Sequence, residues 1–427
     1  MFYCDLIRRL LQYFLLPLAL RTYFKKISVE GKDNYDSEGA TLLAVNHPNS
    51  FIDPLLVTSI LFGNLYYLTA AEYMGKGIKN WFMRKEFHMV PVYRPSVFAD
   101  TKGNSDMFKE CSDLLKDSKM LLVHPEGVSV KRLKIQPLKT GLARIAIGTK
   151  QKYPQLPIKI IPIGLNFTNH HQAFSDVHIK INAGFFLEHS ENTSDNIKTL
   201  TEKIEDEMKK TVIHLENETA EINYWRFFRL LPSWRFFEND EKTFSHQKSI
   251  ADMLNDLSND DNQEFKKLST QAEYLEKKLL SLGINKINKI ETEFSSLKYI
   301  LLVGFVLLFP VFLVGRLFHF VPISLIRPIR KKIKTKPSFK GSMIIALGLF
   351  LNLFWYVIVG VVFAIIFGSK YLILLPVLLI IGRISTVYLI KWDTFYKKWK
   401  QYNISKKHAF YNSDLMEWQK QVDSFFN

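Results

Sequence analysis

From Met343 to Phe367 the chain runs without one charged residue, and from Tyr371 to Ile390 it runs with only Arg383. Each stretch can cross roughly 30 Å of hydrocarbon at about 1.5 Å of rise per residue. Only Gly368, Ser369 and Lys370 separate them. So short a turn implies a tight antiparallel transmembrane hairpin. The competing arrangement, two buried core helices, is disfavoured by the length of the runs. A third apolar stretch, Tyr299–Ile326, carries Pro310, Gly315, Arg316 and Pro322. A lipid-exposed helix tolerates a break and a charge least near its middle. The expectation for 298–326 is therefore a re-entrant or interfacial element, not a span.

The charge distribution agrees with a membrane setting. The formal net charge is +16. Pro322–Ser342 holds Arg327, Arg330, Lys331, Lys332, Lys334, Lys336 and Lys340 and no acid, and Lys391–Lys407 holds six lysines against Asp393. Together they supply twelve of the sixteen charges, and both flank apolar runs. Cytoplasmic flanks of membrane helices show this enrichment. A nucleic-acid protein would place its basic residues along one face of a folded domain. Nucleic acid is therefore not expected as a partner. The two cysteines, Cys4 and Cys111, exclude a disulfide framework and fit a reducing compartment.

Met1–Lys26 is interrupted by Arg8, Arg9 and Pro17 and lacks a small-residue cleavage site. It reads as an interfacial membrane helix, with an ordinary packing helix as the alternative. From Ile27 to about Leu187, apolar strands alternate with helical segments. "ATLLAVNH", "NLYYLTAA", "HMVPVYR", "KMLLVHPEG", "IKIIPIGLNF" and "VHIKINAGFF" read as strands. "SDMFKECSDLLKD" and "TGLARIAIGTKQ" read as helices. The fold class is thus α/β, a mixed and largely parallel sheet flanked by helices, spanning 27–220. A helical, aromatic–basic connector fills 221–297, and the membrane region 298–427 ends in a basic tail, 391–427. In the connector, "NYWRFFRLLPSWRFF" suits either the headgroup region or a buried docking role. Two charged helices between Phe244 and Ile290 show no strong apolar face.

Sites in such sheets form at strand ends. His47, Arg94, Glu126 and Asn166 all fall there. His47 and Asp53, in "VNHPNSFIDPLL", could be residues of an Asx-rich turn. The other strand ends argue for chemistry. They bring Arg94, then Glu126 and Gly127 with Ser129, Lys131 and Arg132 behind, then Lys139 and Arg144, and Pro162. A neutral imidazole can take the proton of an alcohol attacking a thioester carbonyl. A partner carboxylate orients the ring and stabilises the imidazolium. An arginine with a second cation, Lys139 or Arg132, can hold a phosphate on the alcohol. No histidine–carboxylate spacing suggests a metal, and His170–His171 reads as loop.

These blocks resemble the glycerol-phosphate acyltransferase superfamily across about Lys32–Leu187. "NHPNSFID" is similar to its first block, which implies His47 and Asp53 as catalytic residues. "VPVYR" is similar to the second, which implies Arg94 as phosphate ligand. "HPEGVS" is similar to the third, with His124 where phenylalanine is usual, and implies Glu126, Gly127 and Ser129 at the acceptor pocket. "IIPIG" is similar to the fourth and implies Pro162 on the acyl-donor side. Five residues, not the common four, separate His47 from Asp53. That spacing, "HxNxFxDP" and "LKTGLARIA" resemble the fungal-type glycerol-3-phosphate/dihydroxyacetone-phosphate branch.

The resemblance implies acyl transfer to glycerol-3-phosphate or dihydroxyacetone phosphate, without a cofactor, from acyl-CoA or acyl-carrier protein. A lysophosphatidate acceptor is the alternative. An inactive lipid-binding tether is the alternative of another class, and the intact His47, Asp53, Arg94 and Glu126 speak against it. A channel or transporter fits poorly with so large a soluble half. The bilayer is the expected partner, with the catalytic domain cytoplasmic. Low cysteine use and many lysines and asparagines favour a bacterial inner membrane over the endoplasmic reticulum. Oligomeric state is not legible.

Overall fold

A computed structural model of the chain describes residues 11–426 except 36–38, 62–64, 99, 101, 170–172, 189–190, 232–240, 260–261, 288–293, 333–336 and 409–412. It forms two compact units, residues 1–213 with 335–342, and residues 214–334 with 343–427.

In the first unit the order is α1 (Leu16–Tyr23), β1 (Lys26–Glu30), β2 (Ala40–Val45), α2 (Ile52–Ile60), β3 (Leu65–Ala70), α3 (Ile78–Lys85) and β4 (Met89–Val92). There follow α4 (Gly103–Lys116), β5 (Met120–Val123), α5 (Gly141–Lys152), β6 (Ile158–Phe167), β7 (Asp176–Ile181), β8 (Phe185–Phe186) and α6 (Ser194–Lys209). The sheet runs β1-β7-β6-β2-β5-β3-β4, with β8 added beside β6. All neighbours are parallel except β6–β7 and β6–β8. This is the mixed, largely parallel sheet that the apolar runs predict.

Parallel strands need crossovers, and helices in the crossovers bury the sheet. Leu42, Ala44, Leu121, Val123 and Ile160 therefore pack in one core with Cys111 and Leu115 of α4 and Leu142 and Ala146 of α5. The sequence reading missed β1, whose residues are all only partly buried. As the sheet's edge it lacks the apolar run that marks the other strands. Residues 1–10 of the expected interfacial helix lie outside the described residues. Further on, α1 buries Leu20 and Tyr23 but exposes Arg21 and Thr22.

The second unit contains α7 (Glu218–Leu230), α8 (Glu241–Asn259), α9 (Gln263–Ser281), α10 (Phe294–Phe318), α11 (Phe320–Lys332), α12 (Pro337–Ile366) from Met343 onward, α13 (Leu375–Lys407) and α14 (Asp414–Phe426). The charged pair α8–α9 does carry an apolar face, contrary to the sequence reading. Phe265, Leu268, Ala272, Leu275 and Leu279 recur at helical spacing and are buried. Tyr224 and Phe227 of α7 and Trp418 of α14 are buried too, and Trp418 Nε1 donates to the Leu268 carbonyl at 3.0 Å. In α7 the aromatic–basic segment is thus a packing element. Its continuation, 232–237, lies outside the described residues.

Among the described residues three helices are long and apolar enough to cross a membrane, at Leu297–Phe318, Gly341–Ile366 and Ser369–Lys407. Their apolar side chains point outward, as at Leu307, Ile365 and Ile373. The break expected at Pro310 and Gly315–Arg316 is absent, because α10 runs through Pro310 unbroken. Proline costs one hydrogen bond, which an apolar helix absorbs when neighbours pack against it. Gly315 is a packing residue. A Cβ there would fall 2.8 Å from both the Ile381 carbonyl oxygen and Ser385 Cβ of α13. The second apolar run opens with a 3-10 turn, Ser369–Leu374, before α13 begins. The basic segment after it continues α13 as helix to Lys407.

Candidate active site

The site grows from the ends of β2 and β5. Past Val45 the chain turns, and Asn46 fixes the turn to β6. Its Nδ2 donates to the Leu165 carbonyl at 3.0 Å and its Oδ1 accepts the Leu165 N–H at 2.7 Å. Ser50 takes φ 53°, and α2 starts two residues later. Asp53 therefore lies in the first turn of a helix, where the macrodipole favours a carboxylate.

His47 and Asp53 meet across this turn. Nδ1 of His47 is 3.0 Å from Oδ2 of Asp53, whose side chain is fully buried. The Asn49 N–H donates to the same oxygen at 2.8 Å. The extra residue between His47 and Asp53 is taken up by a turn with left-handed Ser50, so it does not rotate the aspartate away. A His47 tautomer that donates Nδ1–H to Asp53 leaves a lone pair on Nε2, as a general base requires. Burial pushes Asp53 up to about 8, opposed by His124 and by the Asn49 N–H. Burial also pushes His47 down to about 4. The two groups share a proton, and their titration belongs to the pair.

Glu126 lies beside His47, as expected, and holds it through the backbone. Its Oε1 accepts the backbone N–H of His47 at 2.8 Å and its Oε2 accepts that of Gln136 at 2.9 Å. Both oxygens are engaged with protein, and the residue is buried. Burial pushes its carboxyl up to about 7 against those two N–H donors. Ser129 is similarly engaged, its Oγ accepting the Ser50 N–H at 3.0 Å. Gly127 is exposed at φ +67°, and a Cβ on it would touch Lys139 Cγ at 3.4 Å. Lys139 is itself exposed, and its N–H donates to the Pro125 carbonyl at 2.8 Å.

His124 replaces the usual phenylalanine and stacks on His47, centroids 3.9 Å apart and planes at 17°. Its Nδ1 donates to the Val45 carbonyl at 2.9 Å, while its Nε2 is inaccessible and has no hydrogen-bond partner. Burial, then the neighbouring His47, lowers its pKa to about 3.

Arg94 lies two residues past β4 and is ion-paired with Glu72, a residue absent from the sequence reading. A lone glutamate after "LTAA" gave no signal for it. Arg132 is half-buried in the segment after β5. One expectation needs correction. Pro162 lies within β6, paired with Ala44, and not at a strand end. It sits between the residues of β6 that pair with β8 and those that pair with β7, where a missing N–H costs least. Asn166 is at the end of β6 as expected, its penultimate residue. It is a buried tie, with Nδ2 donating to the Thr211 carbonyl and Oδ1 accepting the Ile213 N–H. Among the described residues no group of His, Cys, Asp and Glu could hold a metal ion. His170 and His171 lie outside them.

The family model described as Acyltransferase matches residues 26–166, the segment that holds all of these groups. Residues 26–166 are thus similar to an acyltransferase domain. Over 98 residues it is 30% identical to "Glycerol-3-phosphate O-acyltransferase 1" of Saccharomyces cerevisiae. That match covers 21% of this chain and 13% of the yeast protein's length. Among solved structures, the 1-acyl-sn-glycerophosphate (LPA) acyltransferase PlsC of Thermotoga maritima aligns over 48% of this chain and 80% of its own. The identity there is 16% and the TM-score 0.36. The yeast match lies on the fungal side of the resemblance. The preference for a bacterial membrane finds no support in these likenesses.

Proposed function

We propose that the chain is a membrane-bound O-acyltransferase that moves a fatty acyl group from a thioester to the hydroxyl of glycerol-3-phosphate or dihydroxyacetone phosphate. The observation that carries this reading is the His47–Asp53 pair, 3.0 Å apart at the end of β2. Nε2 of His47 takes the hydroxyl proton as the oxygen attacks the thioester carbonyl. Asp53 holds the ring and stabilises the imidazolium. When the tetrahedral intermediate collapses, the carbon–sulfur bond breaks and the thiolate leaves with that proton. Arg94 binds the acceptor phosphate in exchange for its contact with Glu72, with Lys139 or Arg132 as second cation. Glu126 fixes the backbone of His47. The donor is acyl-CoA or acyl-carrier protein, and no cofactor takes part.

The yeast match supports glycerol-3-phosphate as the acceptor. Purified full-length protein in mixed micelles, given radiolabelled acyl thioester, tests this with glycerol-3-phosphate, dihydroxyacetone phosphate and lysophosphatidate in parallel. Glycerol-3-phosphate or dihydroxyacetone phosphate should show the highest kcat/KM. A clear preference for lysophosphatidate would overturn the acceptor assignment. Transfer to none of the three, with His47→Ala indistinguishable from the parent, would overturn the reaction.

A further inference from the structure

The helix α3 joins parallel β3 to β4, a place where a crossover helix ordinarily lays an apolar face on the sheet. Other crossover helices here do so, with Ile52, Leu56 and Val57 of α2 and Met107, Cys111 and Leu115 of α4 buried. By contrast, α3 buries none of its eight residues. Its apolar side chains face outward. Ile78, Trp81 and Phe82 stand at i, i+3 and i+4, on one face of the helix, and are 86%, 55% and 46% exposed. Phe87, just past the helix end, is 43% exposed and meets Phe82 edge-on, ring centroids 5.4 Å apart.

So short a helix is marginal in water and depends on what its apolar face packs against. Nothing among the described residues covers that face, so its occupant comes from outside the chain. The surrounding charges select it. Lys76, Lys79, Arg84 and Lys85 are all exposed, and between Tyr73 and Phe87 the one acid is Glu86. Arg84 is held by Glu110 at 2.7 Å, and Lys85 Nζ lies over the Trp81 ring, 5.1 Å from its centroid. Aromatic and aliphatic side chains ringed by lysines are the composition of a helix that lies in the interface of an acidic bilayer. An acidic protein would have to find this face by diffusion. The bilayer is kept at hand by the chain itself, whose described residues include three helices long and apolar enough to cross it.

We propose that α3 and Phe87 form an interfacial anchor. Ile78, Trp81, Phe82 and Phe87 enter the acyl boundary of an acidic bilayer, while Lys76, Lys79 and Lys85 stay among the headgroup phosphates. The anchor is tied to the candidate active site. It lies between Glu72 and Arg94, which pair with each other. At its start the Tyr73 ring meets Phe51 edge-on, centroids 5.9 Å apart, two residues before Asp53. On the acyl-transfer reading proposed above, this docking sets the site at the lipid surface, where an acylated product is soluble.

Nitroxide accessibility in the full chain tests the anchor without turnover, so its failure is separable from failure of the acyl-transfer reading. Ile78→Cys, Phe82→Cys and Phe87→Cys are compared with Glu202→Cys, an exposed control on α6, each in a Cys4→Ser parent. The buried Cys111 stays, and any label it takes up is measured on that parent. All four positions are exposed, so the substitutions leave the core intact. In nanodiscs of mixed phosphatidylglycerol and phosphatidylcholine, the labels at 78, 82 and 87 should be more accessible to oxygen than the control. They should also be several-fold less accessible to a water-soluble nickel chelate. Accessibility to both reagents equal to the control would leave the face in water and overturn the anchor. Low accessibility to both would mean that protein covers the face, a second copy or another chain, and would overturn it too. With phosphatidylcholine alone the three labels should move toward water, and unmoved labels would strike the acidic lipid from the proposal.

Discussion

His124 lies face to face with His47, the ring centroids 3.9 Å apart, and of the two rings it is His47 that Asp53 holds, at 3.0 Å. The two imidazoles cannot both carry charge at that distance. His124, with its lowered pKa of about 3, stays neutral and acts as a flat support. His124→Phe should keep the stack and most of the turnover. It should also change acid stability in a defined direction. The unfolded histidine takes up a proton near pH 6.5 and the folded one does not until about 3. Each pH unit lost between those values therefore weakens the parent fold. Thermal melts should show the parent losing stability relative to His124→Phe as pH falls from 6.5 to 3. Parallel curves would mean that His124 is already charged in the folded protein.

The base form of His47 requires that the His47–Asp53 pair has released its shared proton. Activity should rise with pH through one apparent pKa between about 4 and 8, the values toward which burial moves His47 and Asp53. Asp53→Asn removes the charge that stabilises the imidazolium. The acid limb should then move to lower pH while the plateau falls by two orders of magnitude or more, about 3 kcal/mol. His47→Ala should abolish turnover in a folded, membrane-bound protein. A pH–rate profile of each variant decides the matter. A mild Asp53→Asn phenotype would mean that another acid serves His47.

Glu126→Gln probes whether this residue touches substrate or holds the loop. Both carboxylate oxygens accept backbone N–H groups, and an amide can accept only one of them without opposing a donor to a donor. One buried N–H is left unpaired, at a cost of about 1–3 kcal/mol. The melting temperature and kcat should fall together, with acceptor KM little changed. A raised KM at constant kcat would instead make Glu126 a ligand of the acceptor.

Arg94 should be read against Glu72. Loss of a charge-assisted phosphate contact costs about 1.5–3 kcal/mol, or roughly 10- to 150-fold. Arg94→Ala should raise acceptor KM by that factor and leave donor KM alone. Glu72→Gln should disturb acceptor KM less, because the arginine remains. If Arg94→Ala lowers the melting temperature with acceptor KM unchanged, the Arg94–Glu72 pair is structural.

Much of this was legible in the chain. Strands covered on both faces read as continuous apolar runs, so β2, β3, β5 and β6 were evident, and His47 and Arg94 stand just past strand ends as expected. What stayed hidden depends on partners that no side-chain pattern records. Glu126 engages backbone N–H groups, Asn46 engages Leu165, and Glu72 finds Arg94 only when β3 and β4 pair. The apolar positions of α9 were present but diluted by its charges. The continuity of α10 through Pro310 was illegible because it depends on helices that follow in sequence and pack against it.

The strand order also dictates a timetable. β2 is flanked by β5 and β6, and β1 waits for β7. As the chain leaves the ribosome, β2 can pair with β5, but its other edge stays open until residues 158–167 emerge. For that interval a strand of Ala, Leu and Val with His47 at its end is an uncapped template for a wrong neighbour. The long α12 and α13 emerge later still. A ribosome paused between α5 and β6 would thus hold the nascent chain at its most aggregation-prone length, and slow translation there should be harmful where slow translation after β7 is not.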